Sequence, residues 1–121
     1  MKIKLKTVII LITALMLGSI AQIILKLGAN SIGQLNDLIS LLNAIFNPLV
    51  FAGIMLYFTS SLFWLVVLSK SELSYVYPFV AVTYIIVTLL SYWLLNESLP
   101  LLRITGIGVI TGGVIMVSMS K

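Results

Sequence analysis

The residues of this chain that could do chemistry are polar and aromatic side chains at helical spacing within long apolar stretches. Lys26 is a cation four residues after Gln22, and Glu97 is an acid near the end of the third stretch. Polar groups inside a membrane need partners or a water-filled cavity, so they mark candidate substrate pathways. A lone lysine such as Lys26, facing a polar seam, could bind a phosphate. The candidate pathway residues are Gln22, Lys26, Tyr57, Trp64, Tyr77, Tyr84 and Glu97.

These residues also have a purely structural interpretation. Small hydroxyl residues and tyrosines often bond to helix backbones without lining any pathway. Lys26 falls near the outer boundary of the membrane, where it could pair with Glu97 or extend its ammonium group to water. The sequence leaves both interpretations open.

The composition excludes a water-soluble enzyme. Of the 121 residues, 61% are hydrophobic and 8% are charged, whereas about a quarter are charged in soluble domains. The chain contains no Cys and no His, which excludes thiol nucleophiles, disulfides and ordinary zinc, haem or iron–sulfur sites. We therefore expect no catalytic site, no metal and no cofactor. The net charge of +4 is too sparse to indicate a nucleic-acid partner.

Four apolar windows are long enough to cross a membrane, which takes about 20 residues. They cover residues 5–27, 49–68, 73–95 and 101–119. We predict an all-α fold, a single four-transmembrane-helix bundle formed by residues 1–121. Between the first two windows, the apolar residues of 30–47 recur at helical spacing, which predicts a short helix lying in the membrane interface. An ordered loop packed on the bundle is the alternative for this segment.

Special residues mark the third and fourth helices. Pro78 falls inside the third helix, where it removes a backbone donor and predicts a kink, either a hinge or a packing bend. Gly106 and Gly113 are seven residues apart on one stripe of the fourth helix, which lets another helix approach closely. That helix could belong to a second subunit or to the same chain, and we favour a dimer interface.

The basic residues are divided unequally between the two sides of the membrane. With four spans, both termini lie on the same side, which carries five cations against two on the other. The positive-inside rule therefore places both termini in the cytoplasm. Residues 19–21 resemble a signal-peptidase site, but apolar residues continue to Leu27, so we expect an uncleaved first helix. The five cations are Lys2, Lys4, Lys6, Lys70 and Lys121, and the two are Lys26 and Arg103.

Four motifs follow one another along the chain. The first helix ends in Gln22-Ile-Ile-Leu-Lys26-Leu-Gly28, and the third begins with Leu73-Ser-Tyr-Val-Tyr-Pro78. Asn96-Glu97-Ser98-Leu99 comes next, followed by the glycine stripe from Gly106 to Gly113. Their order and spacing resemble the drug/metabolite transporter superfamily, in its small multidrug resistance and single-unit EamA-type branch. The resemblance covers nearly the whole chain, and the glycine stripe resembles the family's dimerisation motif.

The departures from that family are equally informative. Multidrug members carry a membrane-embedded glutamate eight residues before the lysine, and here that position is Gly18. Their third-helix tryptophan corresponds to Val80, so proton-coupled drug export is disfavoured. The chain more closely resembles the paired subunits that flip aminoarabinose-phosphoundecaprenol in bacterial inner membranes. This resemblance implies a polyprenyl-phosphate-linked sugar as substrate, a bacterial or archaeal inner membrane as location, and a homodimer or a heterodimer with a related subunit.

Two other functions remain open. A small-molecule or cation exporter of the small multidrug resistance type would use Glu97 as its acid. A non-transporting accessory subunit would position an enzyme or another transporter and would move nothing itself.

Overall fold

The structure is a computed structural model of the chain, and it describes residues 4–120. Within the described residues, the secondary structure consists of helices joined by short connections, with a 3₁₀ turn at Tyr77–Phe79. Four helical units, of which one combines α4 and α5, are long and apolar enough to cross a membrane. This confirms the predicted all-α fold with four membrane helices. The helices are α1 (Leu5–Ile32), α2 (Leu38–Ala44), α3 (Pro48–Lys70), α4 (Leu73–Val76), α5 (Val80–Leu94) and α6 (Leu101–Ser118).

The first helix is longer than its apolar window. α1 has 28 residues, which at 1.5 Å per residue makes it about 42 Å long, against a hydrocarbon core of about 30 Å. It ends where Gly33 adopts a φ of 95° and donates its N–H to the Ala29 carbonyl at 3.0 Å. Only glycine adopts this backbone conformation without strain. α1 is therefore longer than the apolar layer that it would cross.

The predicted short helix between the first two spans is confirmed as α2. It begins with a capping box, in which the Ser40 N–H donates to the Asp37 carboxylate at 2.8 Å. This backbone hydrogen bond, followed by the Ser40 side chain, lowers the pKa of Asp37 because it stabilises the ionised form. The apolar side chains of α2 face outwards, and Phe46 just after it is 84% exposed. Such an amphipathic helix suits the membrane interface.

Pro78 interrupts the third span where the sequence predicts a kink. The 3₁₀ turn at Tyr77–Phe79 replaces one α-helical turn between α4 and α5. Proline has no N–H to donate, so the regular hydrogen-bond ladder cannot continue through it. The rings of Tyr75 and Phe79 pack across this turn with their centroids 5.7 Å apart.

The closest packing in the molecule joins α1 to α3. A Cβ atom added to Gly28 would lie 2.7 Å from Cγ2 of Val50, so the two helices meet there without room for a side chain. About midway along α3, the Ser60 hydroxyl donates to the Ala14 carbonyl at 2.7 Å across the interface. These contacts, spread along both helices, make the α1–α3 pair the rigid base of the bundle.

The second half of the chain packs more loosely on this base. α5 packs against α1, and α6 packs mainly against α5. Neither α5 nor α6 contains a buried residue. The Tyr75 hydroxyl donates to the Ser118 carbonyl at 3.2 Å and ties the end of α6 to the rest. The buried apolar cluster lies at the same end of the bundle and comprises Leu11, Leu15, Val67 and Val76.

Candidate functional site

A groove of about 810 Å³ runs along α5 and is open on one side. Its α5 wall is made of residues that recur every three or four positions, so they form one stripe of the helix. From Tyr77 to Ser91 this stripe covers about 21 Å, most of a hydrocarbon core of about 30 Å. The stripe comprises Tyr77, Val80, Ala81, Tyr84, Val87, Thr88 and Ser91.

A smaller space, the side cavity, adjoins the groove between α1, α3 and α5. Its volume is about 250 Å³, and Tyr57 and Trp64 line its α3 wall. The two spaces meet at the residues that line both of them. These shared residues are Gln22, Tyr77, Val80 and Thr83.

Most of the predicted pathway residues come together at these two spaces. Lys26 does not: its side chain is exposed one helical turn beyond Gln22 and lines neither space. The structure thus groups the aromatic and amide residues, while their role in transport stays a prediction. The residues that line the groove, the side cavity or both are Gln22, Tyr57, Trp64, Tyr77, Tyr84 and Glu97.

The hydroxyl groups along these spaces bond to helix backbones. Thr88 donates to the Tyr84 carbonyl at 2.6 Å, and Ser61 donates to the Tyr57 carbonyl at 3.0 Å. These two residues therefore make the backbone bonds that the structural interpretation expects, although Thr88 lines the groove and Ser61 lines the side cavity. These bonds do not remove them from the lining, because a hydroxyl oxygen that donates one bond can still accept others from a ligand.

Opposite charges meet the groove at the α5–α6 connection. Glu97 and Arg103 both line it there, and we call this part the charged end. The N–H groups of Leu95 and Glu97 both donate to the Ser91 carbonyl, at 3.1 and 3.2 Å. Asn96 between them has a φ of 56°, a left-handed conformation that Asn tolerates better than most residues. This turn fixes the backbone of Glu97 over the end of α5.

The glycine stripe of α6 faces open space. A Cβ atom added to Gly106 or Gly113 would meet no atom within 4 Å. In the described structure these two glycines therefore bring no other helix of the chain into close contact, and their role in a dimer stays a prediction. The stripe remains available to something outside the chain.

A comparison with known proteins identifies the family. The probable 4-amino-4-deoxy-L-arabinose-phosphoundecaprenol flippase subunit ArnF of Erwinia tasmaniensis is 32% identical over 111 residues, which cover 86% of this chain and 87% of the relative. The chain belongs to the family of these flippase subunits. No family model and no solved structure matches it. The resemblance inferred from the sequence motifs is thus confirmed, and four apolar helices make this family member a multi-pass membrane protein.

Several residues that line the groove were not among the pathway candidates predicted from the sequence. Arg103 was assigned only to the charge distribution, although a lone cation six residues after Glu97 at a membrane boundary is a usable signal. Nothing in the sequence distinguishes the other missed residues from ordinary helix surface. Among residues 4–120 there is no cluster of His, Cys, Asp or Glu that could hold a metal ion. The other missed polar residues of the groove are Thr83 and Tyr92, both on α5.

Proposed function

We propose that this chain moves a polyprenyl-phosphate-linked sugar between the leaflets of the membrane, with the headgroup passing along the groove. The stripe along α5, about 21 Å long by its helical rise, carries this proposal. Because the groove is open on one side, a polar headgroup can enter it while the polyprenyl chain stays in the bilayer. The printed substrate of the relative, a lipid-linked amino sugar, supports the same class.

The size and lining of the groove support a sugar headgroup. Its volume of about 810 Å³ lies within the roughly 300–1,000 Å³ of typical ligand pockets. The side chains of Tyr77 and Tyr84 are 61% and 48% exposed in the groove. A tyrosine offers an apolar ring face together with a hydroxyl, which suits the mixed surface of a sugar. Gln22 adds an amide at the junction with the side cavity.

A phosphate crossing the membrane needs a cation in its path. Arg103 lines the charged end of the groove and is the first candidate. Lys26, one helical turn beyond Gln22, is the second candidate, since its long side chain can extend towards the same membrane boundary. The proposed activity moves the lipid without changing its covalent bonds.

The distribution of cations supports a particular orientation. We propose that both termini lie in the cytoplasm of a bacterial or archaeal cell, since Lys4, Lys6 and Lys70 lie at the termini side. Lys2 and Lys121 fall outside the described residues. In this orientation, the charged end of the groove and α2 face the outer side of the inner membrane.

We further propose that the working unit is a dimer, formed with a second copy or with a related subunit. A single groove open to lipid gives only one wall of an enclosed path. The unpartnered stripe of Gly106 and Gly113 supports this proposal, because it offers close approach to a helix of another subunit. We expect Pro78, at the 3₁₀ turn, to act as a hinge for α5 during transport.

The proposal can be tested in liposomes that contain the full chain and a polyprenyl-phosphate-linked 4-amino-arabinose. An impermeant amine reagent labels the outer leaflet, and the rate at which the inner pool becomes reactive measures translocation. Ala81→Leu narrows the groove with a bulkier side chain on its α5 wall, and we expect it to slow translocation by about tenfold, which corresponds to roughly 1.4 kcal/mol. Ala52→Leu makes the same change at an exposed α3 position outside both spaces and should leave the rate unchanged.

The same assay distinguishes the two cations and the two other functions. Arg103→Met should slow translocation, and an unchanged rate in Lys26→Met would remove Lys26 from the mechanism. No translocation by the wild-type chain, whether it is reconstituted alone or together with a related subunit, would contradict the proposal and favour an accessory subunit. An electrical signal on adding guanidinium or quaternary ammonium compounds would instead favour a cation exporter.

A further inference from the structure

The side cavity is a polar space near the middle of the membrane spans. Two of its lining residues show this depth: Ser60 lies near the middle of α3, and Thr83 lies near the middle of the span formed by α4 and α5. Gly18 of α1 lies beside Ser60, because a Cβ atom added to it would be 3.2 Å from the Ser60 hydroxyl oxygen. The side cavity therefore lies at a depth where the surrounding bilayer contains no water.

Several polar groups that line the side cavity have no hydrogen-bond partner among residues 4–120. These groups differ from the hydroxyls of Ser60 and Ser61, which donate to helix carbonyls at 2.7 and 3.0 Å. A polar group at this depth costs free energy unless a molecule in the cavity pairs with it. The groups without a partner are the Gln22 amide, the Tyr57 hydroxyl, the Trp64 indole N–H and the Thr83 hydroxyl.

Water fits this lining better than the other molecules that can reach it. One water molecule occupies about 30 Å³ in the liquid, so a cavity of about 250 Å³ has room for several. The Trp64 indole can only donate, whereas the amide and the hydroxyls donate and accept, and water satisfies both kinds of group. A lipid chain would leave all of them unpaired. An ion would find no charged residue among those that line the cavity.

The groove gives water a route to the side cavity. The two spaces share Gln22, Tyr77 and Thr83, and the groove continues from there to the charged end. Glu97 and Arg103 are exposed at that end. Because charged groups near the membrane boundary stay in contact with water, water that solvates them can enter the groove and reach the junction of the two spaces.

We propose that the side cavity holds a cluster of water molecules in the middle of the membrane, and that this cluster hydrates polar groups as they pass the junction at Gln22, Tyr77 and Thr83. The water cluster itself goes beyond the proposed function, since it does not depend on what is transported, whereas its use in transport rests on that function. A polar group loses its hydration when it leaves bulk water. Bridging water at the junction replaces part of this hydration.

Trp64 can report on water in the side cavity, because it lines that space. The chain has two tryptophans, so Trp93→Phe leaves Trp64 as the one tryptophan. By helical rise Trp64 lies about 7.5 Å from the middle of α3, inside a hydrocarbon core of about 30 Å. H₂O in contact with an indole quenches its fluorescence more than D₂O does. In liposomes we therefore expect D₂O to raise the Trp64 fluorescence and lipids with brominated chains to quench it only weakly.

A tryptophan that faces lipid at the same depth is the matched control. Leu65 is 62% exposed and lines neither the groove nor the side cavity. In Leu65→Trp, with Trp64→Phe and Trp93→Phe, D₂O should leave the fluorescence unchanged and brominated chains should quench it strongly. If Trp64 behaved like this control, a lipid chain rather than water would fill the side cavity, and the inference would be overturned.

Ser61→Leu connects the water cluster to transport. Ser61 lines the side cavity but not the groove, so leucine narrows the cavity and removes a hydroxyl without touching the groove. Thr59→Leu is the control: Thr59 is exposed, lines neither space, and bonds to a carbonyl of its own helix at 3.0 Å, as Ser61 does. We expect Ser61→Leu to abolish the D₂O response of Trp64 and to slow translocation by about tenfold. Thr59→Leu should change neither, and circular dichroism checks that both variants are folded.

The outcomes separate this inference from the proposed function. No D₂O response of Trp64, or an equal loss of the response in Thr59→Leu, would overturn the water cluster while leaving translocation intact. Loss of the response in Ser61→Leu with an unchanged rate would overturn the use of this water in transport. A D₂O response in a wild-type chain that translocates nothing, alone or with a related subunit, would support the water cluster and contradict the proposed function.

Discussion

The two halves of this chain use the same kinds of residues in opposite ways. In the α1–α3 half, glycines allow close helix contact: Cβ atoms on Gly28 and Gly53 would lie 2.7 and 2.8 Å from side-chain atoms of the facing helix. In the α5–α6 half, Gly106 and Gly113 have no atom within 4 Å of the same position. One set of glycines packs the chain against itself, and the other is free to contact something else.

Polar groups follow the same division. The Ser60 hydroxyl crosses from α3 to α1, and the Asp37 carboxylate caps α2 in the connection between them. In the second half, Glu97 and Arg103 line the groove and are exposed. The comparison indicates that these residues of the α1–α3 half hold that half together, whereas the corresponding residues of the α5–α6 half stay exposed.

The largest expected effect comes from replacing one glycine of each half by alanine and comparing the change in the free energy of unfolding. Gly28→Ala should destabilise the protein by about 1–2 kcal/mol, because the stiff Val50 side chain cannot move aside and overpacking exceeds the gain in helix propensity. Gly113→Ala should be neutral or stabilising, by up to about 1 kcal/mol, because it gains propensity without a clash. Unfolding followed by circular dichroism in detergent measures both.

Dimer formation provides a second way to compare Gly28 with Gly113. Gly113→Leu should leave the fold of the single chain intact and abolish the dimer mass in native mass spectrometry. Gly28→Ala should lower stability whether or not a dimer is present. Equal destabilisation by Gly28→Ala and Gly113→Ala would show that the α6 glycines also pack within the chain and that the two halves do not differ.

The sequence predicts the helices well and the groove only in part. Four apolar windows, Pro78 and the cap at Asp37 act through local rules, so their positions follow from the residues themselves. Which helix faces which does not follow, because lipid-facing and protein-facing sides of these helices are almost equally apolar. The α1–α3 contact at Gly28 and the open side of Gly106 could therefore be recognised only in three dimensions.

The sequence does not show which residues near the helix ends line the groove. Gln22, Tyr77 and Tyr84 were singled out as candidates by helical spacing, and all three line the groove, while their role in transport stays a prediction. Lys26 shares the spacing of Gln22 but lies one turn further on, where α1 no longer borders the groove. Arg103 enters the lining because the turn at Asn96 folds the connection back over α5, which no periodic pattern reveals.

A smaller effect is expected from two neighbouring serines. Ser60→Ala removes the hydrogen bond between α3 and α1 and should cost about 1 kcal/mol, the usual value for a buried neutral bond. Ser61→Ala removes only a bond to its own helix, at an exposed position, and should change the stability by less than about 0.5 kcal/mol. Chemical unfolding in detergent compares them. Equal losses would mean that the α1–α3 contact is not specifically stabilised by Ser60.

The smallest expected effect separates the two carboxylates, Asp37 and Glu97. The pKa of Asp37 is lowered, so its cap is fully present above the usual carboxyl pKa of about 4 and is lost as the pH falls through the lowered value. We expect the amide resonance of Ser40 to report this titration in the wild-type chain and in Glu97→Gln. In Asp37→Ser, where a neutral hydroxyl keeps the cap, this titration should disappear. If Glu97→Gln also abolished this titration, the two connections would be electrostatically coupled. The difference between the packed α1–α3 half and the exposed α5–α6 half would then not hold at this end of the bundle.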